Sequence, residues 1–377
     1  LTAPVSADDR PIIRIEDWEA LAEQTLPKGA FDYVHSGAGA EETLRKNERA
    51  FQQWDLLPKI LTNVENVNLG INLLNRQLPT PLLLAPVGFQ TVVHPEGELA
   101  SARSAAGLGI PYITSTVSSF SLEDISAVME NVPRYFQLYW PNDEEVAASF
   151  VTRAEAAGYD AIVLTVDTAL LGWREKDLQN RYFPMQTGAG TANFVTDPVF
   201  QQKYNPSGLL TQEELTAEIK KILLNQSLTW EKIAWLRQQT SLPILLKGII
   251  HTEDGKKAVA YGADGIIVSN HGGRQLDGVR SSLNALPFIS KEIQGEIPIL
   301  FDSGIRRGPD ILKAIALGAD AVIIGRPYVY GLTLGQAGVT AVLTNLLHDL
   351  ETSLALTGTA SLSDIDGSLI ARTGNSQ

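Results

Sequence analysis

The sequence predicts a (β/α)8 barrel with an N-terminal helical cap and a long lid insertion after the fourth strand. Three observations carry that prediction. Eight short apolar runs recur along the chain, segments of helical period lie between them, and polar residues end six consecutive runs.

The runs are Leu82–Ala85, Tyr112–Ser115, Tyr135–Tyr139, Ala161–Thr165, Ile244–Lys247, Gly265–Ser269, Ile299–Asp302 and Ala321–Ile324. They are apolar throughout rather than alternating, as strands of a parallel sheet covered on both faces must be. The helical segments between them include Glu98–Gly107, Leu122–Met129, Asp143–Ala157, Trp230–Gln239, Asp254–Tyr261 and Asp310–Leu317. Several end at a glycine suited to a left-handed cap: Gly158, Gly262 and Gly318. From Leu82 to Ile324 the pattern has close to the ~250 residues of one barrel, although a doubly wound sheet remains the alternative.

Before the first run, apolar spacing from Ile15 to Ala50 (Trp18, Leu21, Ala22, then Phe31, Tyr33, Val34) reads as helical. The chain is thus expected to be one domain over residues 1–377. Its parts are a helical cap at 1–80, the barrel at 82–325, a lid insertion at 183–229, and a closing helix and polar, mobile tail at 328–377. The insertion is rich in Gly, Asn, Thr and Gln, and connections this long inside a barrel are lids or disordered inserts.

Thirty basic residues against 43 acidic ones give a net charge of −13, which argues against nucleic acid or an anionic membrane as partner. There is no cysteine, so disulfides, thiolate catalysis, Cys-ligated zinc and iron–sulfur clusters are excluded. No metal site is expected. Leu1–Arg10 lacks the basic and apolar regions of a leader, and a cytoplasmic protein is expected, although a start at Leu1 rather than Met leaves a trimmed leader open.

Barrel enzymes place their chemistry at the C-terminal ends of the strands. There this sequence carries Gln137 and Tyr139, Thr165 and Asp167, Lys247, Ser269 and His271, Asp302, and Gly325-Arg326. Any one Thr or Gln has even odds of being a buried hydrogen-bonder. In Ser269-Asn-His-Gly-Gly-Arg274, His271 suits proton transfer near neutral pH and Arg274 suits a bidentate grip on a carboxylate. A His-Gly-Gly turn alone is weak evidence. Asp302-Ser-Gly304-Ile-Arg306 and Gly325-Arg326 offer glycine amides and guanidinium groups where many barrels hold a phosphate.

Ordered strings at these strand ends carry a family resemblance. Phe31-Asp-Tyr33, Phe136-Gln-Leu-Tyr139, Leu164-Thr-Val-Asp-Thr168, Leu246-Lys-Gly-Ile249, Ser269 to Asp277 and Ile324-Gly-Arg-Pro327 resemble the FMN-dependent L-2-hydroxy-acid oxidase/dehydrogenase family. The likeness runs from about Trp18 to the closing helix. Tyr112–Thr116, Gly172-Trp-Arg174, Thr196–Phe200 and Asp302-Ser-Gly304 resemble its lactate 2-monooxygenase branch.

The resemblance implies FMN as cofactor and oxidation of L-lactate or a similar L-2-hydroxy acid by dioxygen. Products would be acetate, CO2 and water by the monooxygenase route, or pyruvate and H2O2 by the oxidase route. It implies His271 as base, Asp167 behind it, Arg174 and Arg274 on the substrate carboxylate with Tyr33, and Tyr139 at the substrate hydroxyl. For FMN it implies Lys247 at the N1/O2 edge, Gln137, Thr165 and Ser115 on the ring, and Pro86-Val87-Gly88 against its face. Ser269 belongs to the same shell, Asp302 meets the ribityl chain, and Gly304, Arg306, Gly325 and Arg326 hold the phosphate. Gly88 also borders the substrate, and Gly88 with Val117 is expected to enlarge the space there. Asn193–Phe200 and Tyr204 in the lid are expected to cover the pocket. A homotetramer or octamer follows from the likeness alone. Competing readings are a dehydrogenase using a quinone or cytochrome, a sugar-phosphate isomerase or aldolase with Lys247 as Schiff base, and a non-catalytic flavin-binding or scaffold protein.

Overall fold

The computed structural model describes residues 11–374, so the expectation for Leu1–Arg10 lies outside the described residues. Eight parallel strands close a barrel: Leu82–Leu84, Tyr112–Ser115, Arg134–Leu138, Ala161–Thr165, Ile244–Ile249, Gly265–Val268, Ile299–Asp302 and Ala321–Ile324. The last pairs with the first through Val322↔Leu82, Ile323↔Leu83 and Ile324↔Leu84. All eight predicted runs are strands in the predicted order, and a doubly wound sheet is excluded.

Inward residues such as Leu83, Ile113, Tyr135, Val163, Leu245, Ile267, Leu300 and Ile323 fill the barrel. Their neighbours Leu84, Phe136, Leu164, Leu246, Ile266, Phe301 and Val322 pack outward beneath the helices. Both faces are buried, which is why the runs are apolar without alternation. The named helices appear within a few residues of expectation, as in Gly97–Gly107, Glu144–Ala156 and Gly308–Ala316. Asp143 caps the second of these by accepting from the Glu145 and Val146 amides.

Four regions depart from the sequence reading. The N-terminal segment contains helices Ile15–Thr25, Lys28–His35 and Glu42–Arg49, but also a hairpin, Ile71–Leu73 with Arg76–Leu78. Its Leu73 and Leu78 join the barrel interior, and the hairpin plugs it. Helix Ser282–Ile293 carries Pro287 inside it, which masks its helical character in sequence. The tail is structured over its described residues: Leu362, Leu369 and Ile370 are buried, and Ile370–Arg372 pairs antiparallel with Trp54–Leu56.

The fourth departure concerns the insertion. It folds into short helices, Ala192–Val195, Pro198–Tyr204 and Gln212–Ile222. Phe194 stacks edge-on against Phe150 at 5.1 Å and against Phe200 at 5.4 Å, outside the barrel. Arg153 ties this region down through Asp197 and the Asn193 carbonyl. Asn193–Tyr204 therefore packs on the helical layer and does not cover the strand ends. Among the described residues, no helix is long and apolar enough to cross a membrane.

Candidate active site

A cavity of about 700 Å³ opens at the C-terminal ends of the strands. Of the residues singled out in sequence, Tyr33, Pro86, Val87, Gly88, Tyr139, Thr165, Arg174, Lys247, His271, Arg274, Asp302, Gly304, Arg306, Gly325 and Arg326 line it. Asp167, Ser115, Gln137 and Ser269 do not; they sit one layer behind, each bonded to that wall or to its neighbours.

His271 follows the sixth strand at φ +60°, a strained conformation for a non-glycine residue. Its amide donates to Ser269 Oγ at 3.0 Å, and this helps hold the turn. On one side of the imidazole, Nδ1 lies 3.0 Å from Asp167 Oδ1. On the other, Nε2 is 3.5 Å from the Tyr139 hydroxyl. Thr168 Oγ1 donates to the same Asp167 oxygen at 2.9 Å. Asp167 Oδ1 makes Nδ1 the protonated nitrogen, and Nε2 is then the free acceptor toward the cavity.

Burial, with the charges of Lys247 and Arg174, holds the His271 pKa below the usual histidine range against the opposing pull of Asp167. Burial alone would raise the Asp167 carboxyl, but His271, Lys247 and Thr168 overcome it and hold its pKa low. The pair is a neutral imidazole backed by a carboxylate, an arrangement poised to accept a proton and to stabilise the cation formed. Burial and then Asp167 push the Tyr139 phenol up, so it remains a neutral hydrogen-bonding group.

Arg274 is held by the N-terminal segment: Nη1 donates to the Tyr33 carbonyl at 2.6 Å and the Ser36 carbonyl at 2.9 Å, and its Cζ lies 4.9 Å from the Tyr33 ring centre. Arg174 Nε donates to the Arg274 carbonyl at 3.1 Å. Burial and then Arg174 push the Arg274 pKa down, so two guanidinium groups share one desolvated region. The near counter-charge is Asp177, 4.0 Å from Arg174.

Lys247 also lines the cavity, nearly buried, 3.2 Å from Asp302 and 3.1 Å from Ser269 Oγ. Strand register sets Thr165 beside Lys247, and Ser115 beside Gln137. Gln137 Nε2 donates to Thr165 Oγ1 at 3.0 Å and accepts at Oε1 from Ser115 Oγ and the Thr116 amide. Arg306 reaches Glu48 at 2.6 Å. Arg326 donates to the carbonyls of Val34, His35, Gly272 and Ser36.

Six cationic side chains face the cavity against two carboxylates, so the local field is positive in a chain of net charge −13. The donor set suits FMN. Its requirements are cations and amides for a phosphate, polar groups for a heterocycle edge, and an apolar face, and they are met by Arg306 and Arg326, by Thr165 with Gln137 behind it, and by Val87 and Val117. A β-carbon on Gly325 would meet only Ala85 and Val87, at 3.5 and 3.8 Å, so the turn leaves open room beside the guanidinium groups.

Gly88 does not act as expected. A β-carbon there would lie 2.5 Å from Val117 Cγ2 and 2.7 Å from the Val117 carbonyl. The missing methyl therefore allows two turns to touch rather than enlarging the cavity. Of the 183–229 insertion, Phe183, Gln186, Leu223 and Leu224 line the cavity but Asn193–Phe200 and Tyr204 do not, and Leu171–Arg174, Asp177, Leu178 and Tyr182 line it beside them. Sequence reasoning gave no role to Thr168, Asp177, Tyr182 or Ser303. Asp177 carried one signal, its i+3 spacing from Arg174 on a helix.

Comparison with known proteins places the chain. The family profile for FMN-dependent dehydrogenase matches residues 22–372, and the chain belongs to that family. It is 50% identical to an L-lactate oxidase of Lysinibacillus sphaericus over 350 residues, covering 92% of this chain and 89% of the relative. It is 43% identical to a glycolate oxidase of Spinacia oleracea over 362 residues, covering 96% of each chain. A crystal structure of mandelate oxidase superposes with a TM-score of 0.84 at 38% identity, covering 93% of this chain and 96% of that one. FMN is accordingly the cofactor.

Proposed function

We propose that this enzyme oxidises L-lactate or a closely similar L-2-hydroxy acid with dioxygen as acceptor. The observation that carries the reading is His271, backed by Asp167 at 3.0 Å, in one cavity with Arg174, Arg274 and Lys247. Arg174 and Arg274, with Tyr33, grip the substrate carboxylate and orient C2. Tyr139 bonds the substrate hydroxyl, and His271 Nε2 takes the proton. Asp167 then stabilises the imidazolium. FMN, when bound, would supply the acceptor for the hydride equivalent at C2, with dioxygen as the final oxidant. Lys247 would offset negative charge on the reduced group, Thr165 with Gln137, Ser115 and Ser269 behind it would order the polar edge, Pro86–Gly88 would support the ring, and Asp302, Gly304, Arg306, Gly325 and Arg326 would hold the ribityl phosphate.

Two product outcomes are balanced. Oxidase chemistry converts lactate and O2 to pyruvate and H2O2, and monooxygenase chemistry converts them to acetate, CO2 and water. The relatives named L-lactate oxidase support the first, and the sequence strings at Tyr112–Thr116 and Gly172–Arg174 support the second. The outcome turns on whether pyruvate leaves the cavity before it meets peroxide. A reduction series over L-lactate, glycolate and mandelate, followed by product analysis in air, tests the reading. L-lactate is expected to give the fastest anaerobic bleaching; failure of all three to bleach the flavin overturns it.

A further inference from the structure

One fully buried carboxyl group takes no part in this chemistry. Glu98 is the second residue of helix Gly97–Gly107 and has no exposed surface. Its Oε1 accepts from the Gln90 amide and from the Ser119 amide, each at 3.0 Å. These amides belong to different segments: Gln90 ends the turn after the first barrel strand, and Ser119 ends the turn after the second. Between the two anchors the turns touch. The Phe89 amide donates to the Val117 carbonyl at 2.9 Å, and Gly88 lies against Val117 too closely for a β-carbon. Gly88, Phe89 and Val117 all face the cavity.

We propose that Glu98 is a positioning residue that locks these two turns in register and so fixes the cavity wall made by Gly88 and Val117. The network extends the lock along the first turn. Gln90 Nε2 donates to the Val87 carbonyl at 2.8 Å, and the Tyr328 hydroxyl donates to the Ala85 carbonyl at 2.8 Å. The Ala85 and Val87 carbonyls and the Gln90 amide are thereby all held from outside the cavity.

The geometry favours an acceptor whose single oxygen serves two amides, which a carboxyl group provides in either protonation state. Burial pushes the Glu98 pKa up to about 7, against the pull of the Gln90 and Ser119 amides, and Oε2 has no partner. A residue that only filled space would not need that desolvated group.

The test compares holoenzyme variants by FMN release on dilution, read as flavin fluorescence, and by visible circular dichroism of bound flavin. Glu98→Gln keeps the shared acceptor and is expected to stay within threefold of wild type in FMN dissociation constant, with an unchanged spectrum. Glu98→Ala is expected to raise the constant tenfold or more and to alter the spectrum. An alanine variant with wild-type constant and spectrum, whatever its melting temperature, overturns the proposal, as does a glutamine variant as impaired as alanine. If Glu98→Ala does not fold, Glu98→Asp, one methylene shorter, withdraws the shared oxygen from both amides; a changed flavin spectrum supports the lock, and an unchanged one overturns it.

Discussion

Gly248 makes the room in which Asp167 sits. A β-carbon on Gly248 would lie 2.6 Å from both Asp167 Cβ and Cγ, and the glycine adopts φ +112° at the register shift that ends the fifth strand. A larger residue is thus doubly disfavoured, by backbone and by contact. Gly248→Ala is expected to displace Asp167 from His271 and to lower the rate of anaerobic flavin reduction at least tenfold. Stopped-flow absorbance checks this, and a wild-type rate would contradict it.

The pH dependence follows from the low His271 pKa. A base acts when neutral, and a depressed pKa keeps it neutral further into acid, so the acid limb of kcat/KM should fall below the ordinary histidine value of 6.5. Asp167→Asn removes the group that raises this pKa. The limb should move further acid while the maximal rate drops by about 100-fold or more, because the imidazolium is no longer stabilised. A pH–rate profile of both proteins decides it; an unshifted limb with an unchanged maximum contradicts the pairing.

Arg274→Lys should raise KM more than it lowers kcat. Lysine cannot reproduce a bidentate grip, and it also loses the bonds to the Tyr33 and Ser36 carbonyls. A loss of about 10- to 100-fold in kcat/KM, or about 1.4–2.7 kcal/mol, is expected from steady-state kinetics.

Lys247 and Asp302 form a nearly buried pair. Lys247→Met strands a carboxylate and should cost about 3–5 kcal/mol in denaturant unfolding, and Lys247→Met with Asp302→Leu should recover much of it. Equal stability of the single variant and wild type would contradict the coupling.

Gly88→Ala should destabilise the protein by about 1–3 kcal/mol, since its methyl meets the Val117 backbone carbonyl, which cannot rotate away. Thermal unfolding measures this, and an unchanged melting temperature would restore the view that Gly88 faces open space.

The barrel strands were legible because burial on both faces leaves apolar runs that no other element needs. The Ile71–Leu78 hairpin was not: its strands are three residues each, and only the barrel's open end explains why Leu73 and Leu78 are apolar. Ser282–Ile293 hid behind Pro287, and the tail strand behind a polar composition. In the site, residues at strand ends stood out through polarity where apolar runs stop. Tyr182 did not, because it meets the site through distant Tyr33, and Thr168 did not, because only the placed Asp167–His271 pair gives its bond to neighbouring Asp167 a role. The Gly88–Val117 contact likewise exists only once two turns meet.

The most direct test is anaerobic mixing of the FMN holoenzyme and of its His271→Ala variant with L-lactate, followed by stopped-flow absorbance. Wild type should bleach in a single rapid phase, while the variant should hold FMN and bleach at least a thousandfold more slowly. Bleaching of the variant at the wild-type rate would contradict the assignment of His271 as the base.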